Sequence, residues 1–131
     1  MKGRILLVPV LALGVLSVGV LSGAAVGAGA AAPVATTVTI KAEGTDLSGL
    51  VKSTEPKKCS DGRKVVVWQQ IGTRGGGDDI RFASDTASKQ GSVYAWSTGN
   101  TGTEGYFYAR VRKIEGCKGD TSKTVYAVQN P

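Results

Sequence analysis

The sequence predicts an all-β fold: a seven-stranded antiparallel Greek-key β-sandwich. Three observations carry this. Short runs alternate apolar and polar residues with period two, and Gly, Ser, Asp, Thr and Lys punctuate them; no window keeps a helical period. Turn signals recur between the runs at the close spacing of a sandwich. The segment 31–131 has the length of one such domain.

Residues 1–30 are expected to stay outside that fold as a secretory signal peptide. Lys2 and Arg4 form a positive start, Ile5 to Leu21 is almost unbroken Leu, Val, Ile and Ala, and small residues follow from Ser22 to Ala32. The best cut falls after Ala30, with Ala28 two places before it. An uncleaved anchor is the rival reading, since the apolar stretch is long enough to span a bilayer, but its second half is Gly/Ala-rich and weakly hydrophobic. The protein is therefore expected to be secreted or held at the cell surface, with no stable membrane span after cleavage.

The mature runs follow in order. Thr37 to Ala42 places Val38, Ile40 and Ala42 on one face, and Leu47 to Ser53 does the same with Leu47, Gly49 and Val51. Pro56 and Lys57-Lys58 break the pattern before Cys59. Arg63 to Ile71 is the strongest strand, with Val65, Val67 and Ile71 on one face and Lys64, Val66, Trp68 and Gln70 on the other. Gly72 to Asp79 reads as a flexible loop around Gly75-Gly76-Gly77. Ile80 to Ala83 reads as a short edge strand and Asp85 to Gly91 as a turn. Ser92 to Ser97 is a strand whose larger alternates, Tyr94 and Trp96, are expected in the core. Thr98 to Gly105 is a loop, Tyr106 to Lys113 a strand, Glu115 to Ser122 a turn holding Cys117, and Lys123 to Val128 the last strand.

Outside the cytoplasm two cysteines in one small domain pair, and Cys59 and Cys117 allow a single connectivity. They lie just before the third strand and just after the sixth. If those strands are antiparallel neighbours, both cysteines fall at one end of the sheet and the bridge ties two loops. A loop of this length gives about 4 kcal/mol of stabilisation in the chain-entropy picture.

The chain carries +6; without Lys2 and Arg4 it has 14 basic against 10 acidic residues, or +4. The charges are scattered, from Arg63-Lys64 to Arg112-Lys113, and read mostly as a solvated surface. Nucleic acid is not an expected partner of an exported chain of this kind.

The stretches CSDGRKVVVW, SDTASKQGSVYAW and EGYFYARVRK resemble the order of elements in transthyretin-like (prealbumin-like) sandwiches. The nearest kind is the carboxypeptidase-regulatory-like domain of secreted and surface proteins. Its V-x-V strand, its T-D-x-x-G hairpin and its G-x-Y-x-A-x-V strand correspond to Val65-Val66-Val67, Asp85 to Trp96 and Gly105 to Val111. Asp85 and Gly91 stand wider apart than that hairpin asks, and an immunoglobulin-like or fibronectin-like sandwich stays open. The resemblance implies an accessory or adhesive role and no catalytic residue.

Chemistry points the same way. With no histidine in the chain, His-based triads and His-ligated zinc are excluded. No S-x-x-K, GxxxxGK[ST] or GxGxxG motif occurs. Asp78-Asp79 and Asp85 could form a calcium cluster, but read better as acidic turn residues facing water. No enzyme activity, cofactor or metal is expected.

One binding feature stands out. If Val65, Val67, Phe107, Ala109 and Val111 point inward, alternation turns Trp68, Tyr106 and Tyr108 outward, on a face shared with Arg110 and Arg112. Flat rings flanked by guanidinium groups suit sugars, peptides or planar apolar partners; cross-strand aromatic pairs can equally stabilise a sheet without binding anything. The expected partner is an extracellular protein or glycan, bound by a monomer. The other readings of the same chain are a self-associating surface protein and a loop-borne inhibitor or effector of another exported protein.

Overall fold

A computed structural model describes residues 31–130, so the expected signal peptide lies outside the described residues. Those residues form two antiparallel sheets packed face to face, an all-β sandwich. The strands are β1 (Thr36–Val38), β2 (Lys41–Glu43), β3 (Asp46–Ser53), β4 (Lys64–Gln70), β5 (Ile80–Thr86), β6 (Ser88–Gln90), β7 (Val93–Asn100), β8 (Gly105–Val111), β9 (Asp120–Thr121) and β10 (Val125–Ala127). One short helix, α1 (Pro56–Cys59), precedes β4. Sheet I runs β1-β3-β7-β6, with β2 also on β3; sheet II runs β10-β8-β4-β5, with β9 also on β8.

Ten segments replace the expected seven for local reasons. The first expected strand is split at Thr39 and Ile40. Thr39 donates its backbone N–H to the Leu50 carbonyl, and its Oγ1 accepts the Leu50 N–H, which substitutes a side chain for one ladder bond. The break brings the Thr39 carbonyl against Gly49, where an added Cβ would lie 1.9 Å from that oxygen. Only glycine fits there. The indole of Trp96 donates to the same carbonyl at 3.1 Å.

Most of the expected turn from Asp85 to Gly91 is instead strand, on either side of Ala87, and only Gly91 turns. β5 continues to Thr86, and the chain passes through buried Ala87 into β6 of the opposite sheet. Ala87 exchanges backbone bonds with Gly62 and Arg63, so this crossing is hydrogen-bonded throughout and needs no turn residues. β5 is an edge strand, as expected, but a longer one.

Period-two burial fills the interior from both sheets: Val38, Ile40, Leu47, Val51 and Trp96 from sheet I, and Val65, Val67, Phe107, Ala109, Val111 and Ala127 from sheet II. Tyr94 and Trp96 are buried, while Ile71, just past β4, is more than half exposed at 54%. A bulge between Val67 and Trp68 on the β4–β5 ladder skips Phe82. That residue turns inward onto Phe107, ring centroids 5.0 Å apart, and Arg81 takes the place beside Trp68.

Pro56 opens α1, where its missing N–H costs nothing, and the turn delivers Cys59 into the interior. Cys59 and Cys117 are disulfide-bonded with Cα atoms 5.6 Å apart. β4 and β8 are antiparallel neighbours, so the bridge does tie the loops at one end of sheet II. Arg63, read from sequence as one of the surface charges, is buried at that end. Its guanidinium donates to the carbonyls of Cys59 (2.8 Å), Arg112 (2.6 Å) and Lys118 (2.8 Å) and to Thr36 Oγ1 (3.2 Å). Burial lowers its pKa from the usual value. One side chain thus joins the two disulfide loops, the end of β8 and strand β1.

Candidate functional site on the outer face of sheet II

The β4–β8 register decides which side chains share a surface. Val65 faces Val111 and Val67 faces Ala109 on the inner side; Val66 faces Arg110, Trp68 faces Tyr108 and Gln70 faces Tyr106 on the outer side. Arg112 follows immediately after β8 and is exposed. The five residues expected to form one face are therefore brought to one side of sheet II, but not on equal terms. Tyr106 is 55% exposed, Trp68 is half-buried and Tyr108 is only 6% exposed.

Tyr108 is sealed by the glycine loop between β4 and β5, and this corrects the expectation that its ring is offered to solvent. The loop has no strand or helix, yet it is fastened. Asp79 accepts hydrogen bonds from the Tyr108 hydroxyl (2.6 Å) and from the backbone N–H groups of Gly75 (2.8 Å) and Ile71 (3.3 Å). Arg74 lies over the Tyr108 ring, 5.6 Å from its centroid, and donates to the Ser122 carbonyl. Gly75 and Gly77 have φ of +77° and +96°, backbone that a side chain would strain, and this lets the loop fold back over the sheet. Burial raises the Tyr108 pKa to about 12, helped by the bond to Asp79. The same bond, with that from Gly75, lowers the Asp79 pKa below its usual 3.8. Asp85, also considered for calcium, accepts the backbone N–H of Ser97 at 2.8 Å and so links β5 to sheet I. No cluster of three metal-ligating side chains occurs among the described residues.

Alternation already places Lys64 on the Trp68 face; two further members, Arg81 and Tyr126, come from the tertiary structure. Arg81 arrives through the β5 bulge, and Lys64 joins it at the disulfide end. Tyr126, on β10, pairs with Tyr106 and packs against its ring, centroids 4.8 Å apart at a 52° tilt; it is 53% exposed. A groove of about 300 Å³ at the disulfide end is lined by Lys64, Val66, Arg81, Arg112 and Ile114. A second, of about 290 Å³, lies by Trp68, Tyr108, Arg110 and the glycine loop. Lys64, Arg81, Arg110 and Arg112 are all exposed. The one ion pair among the described residues is Lys41–Glu43, at 2.9 Å on sheet I, so none of these four cations is paired to a carboxylate.

The larger groove of about 500 Å³ on sheet I offers less chemistry. Its lining is mostly Thr39, Ser48, Leu50, Val93, Ala95 and their neighbours. Its one cation, Lys41, is already paired, and its indole, Trp96, is in the core with the N–H occupied.

No protein-family model matches the chain, and no curated protein is similar enough to count as a relative. Among the described residues no helix is long and apolar enough to cross a membrane.

Proposed function

We propose that this chain is an exported, non-enzymatic β-sandwich module that acts as a monomer and recognises an extracellular glycan or protein through the outer face of sheet II. The observation that supports this most is the gathering of Trp68, Tyr106, Tyr126 and four unpaired cations on one sheet face. Aromatic and Arg side chains are the usual anchors of binding surfaces. The disulfide and the leader-like residues 1–30 support export. A chain with no histidine and no free thiol, whose most perturbed phenol is held protonated, supports a binding role over catalysis.

The strand orders support an immunoglobulin-like plan over a transthyretin-like one. Lettering the chain's runs A to G, with β1/β2 as A, β5/β6 as D and β9/β10 as G, makes sheet I A-B-E-D and sheet II G-F-C, with the β5 part of D beyond C.

Trp68 is a built-in reporter, because the other indole, Trp96, is only 2% exposed. Titration of the mature domain with glycans and with exported proteins is expected to shift Trp68 fluorescence. Trp68→Ala/Tyr106→Ala should remove binding while circular dichroism stays unchanged. Full binding by that folded double variant would refute the assignment to this face.

A further inference from the structure

We infer that the ligand of this face is an acidic polysaccharide, a polymer whose sugar rings carry carboxylates; this rests on the face being the binding surface. Three features narrow the class. First, the cations are unpaired and concentrated. Lys64 is on β4, Arg81 on the neighbouring edge strand, and Arg110 and Arg112 on or just past β8 on the other side. Adjacent strands lie about 5 Å apart, so long side chains from all three can reach one bound anion. Three of the four are Arg, whose planar fork pairs bidentately with carboxylate.

Second, the charge is placed by the fold. The bulge that turns Phe82 inward is what brings Arg81 outward beside Trp68. Asp61 is the sole acidic residue at the rim of the basic groove. Asp79 is held by Tyr108 and the glycine loop and Asp85 by Ser97, and neither forms an ion pair with the four cations, although Asp79 shares the second groove with Arg110.

Third, the face changes character along its length. The basic groove at the disulfide end gives way to half-buried Trp68, and the far end carries the exposed Tyr106–Tyr126 pair. A uronic-acid polymer presents the same two chemistries, carboxylates at its ring edges and apolar C–H faces. A nucleic acid would need open aromatic faces for its bases. Here Tyr108 is roofed by Arg74, and Tyr106 and Tyr126 pack against each other at a 52° tilt, so this pair does not offer two parallel faces to successive bases.

The test compares four probes on the intact disulfide-bonded domain: polygalacturonate, its methyl ester (the same backbone without charge), dextran, and single-stranded oligothymidylate. Polygalacturonate should bind, weaken as salt is raised, and bind at least about tenfold more tightly than the methyl ester. Arg81→Gln/Arg112→Gln should weaken it about tenfold, and Lys41→Gln/Lys52→Gln on sheet I less than about twofold. Equal binding of polymer and methyl ester, with both lost in Trp68→Ala/Tyr106→Ala, would overturn the acidic class and leave the face intact. Tighter binding of the oligonucleotide through the same residues would overturn it in favour of nucleic acid. Polygalacturonate binding indifferent to both double variants would overturn this inference and the assignment of the face together. No binding of any carbohydrate would overturn the inference alone, since protein titration reports on the face separately.

Discussion

The two sheets are built alike and face solvent differently. Each has a long central antiparallel pair, β3–β7 or β4–β8, and each has an edge strand broken in two, β1/β2 or β9/β10. Each break is closed by a hydroxyl residue. Thr39 exchanges bonds with Leu50 in sheet I, and Ser122 binds the N–H of Ala109 through its side chain and the carbonyl through its backbone in sheet II. Their inner faces are equally apolar. Outward, sheet I shows Ser48, Leu50, Lys52, Ala95 and Ser97, whereas sheet II shows Lys64, Trp68, Tyr106, Arg110 and Tyr126. A common interior sets the fold, and only the outward-facing half of the alternation distinguishes one surface from the other. The loops sharpen this difference, since the glycine loop folds back over sheet II and removes Tyr108 from the surface.

The comparison can be broken at the shared frame first. Cys59→Ala/Cys117→Ala should cost about 4 kcal/mol, because the bridge closes a loop of 58 residues in the unfolded chain. Chemical denaturation of the reduced or substituted domain measures it, and loss of folding at ordinary temperature is within that range. Arg63→Met comes next, at about 3 kcal/mol, because it strips the donors from three carbonyls and a hydroxyl at the disulfide end. Arg63→Lys should rescue little, since one ammonium cannot reproduce the fork. A smaller loss, about 2 kcal/mol, is expected for Gly49→Ala, which forces β3 away from the break between β1 and β2 at the Thr39 carbonyl. That change should leave ligand binding on sheet II untouched; a matching loss of binding would show that the sheets are not separable.

The finest test concerns the roof over Tyr108. With its pKa raised from 10 to about 12, the folded state keeps a proton that the unfolded chain loses. The stability this contributes is full below about pH 10 and falls as pH rises toward 12. In acid the sign reverses for Asp79. Its lowered pKa gives stability present above the usual carboxylate value and lost as pH falls through the folded one. Tyr108→Phe should abolish the alkaline loss assigned to this group, which pH-dependent unfolding would detect.

The sequence made the sandwich legible because alternation is a local signal: Leu47, Gly49 and Val51, or Phe107, Ala109 and Val111, declare their inner face without reference to any partner. The cysteine pairing was legible from the count of two and from the expectation of export. What alternation could not reveal was where it is interrupted. The β5 bulge depends on Phe82 finding Phe107, a contact across strands, and it alone determines that Arg81 faces out. Arg63 looks like any surface cation until four acceptors from distant segments converge on it.

The sequence by itself determined the class of fold, the pairing of Cys59 with Cys117, and a face joining Trp68, Tyr106 and Arg110. Tertiary structure alone decided which of those residues meet solvent, that Arg81 joins them, and that Tyr126 completes the face. The reason is physical. Period-two patterning is written in neighbouring residues, while exposure depends on what the rest of the chain lays over a strand, as Arg74 and Asp79 do over Tyr108.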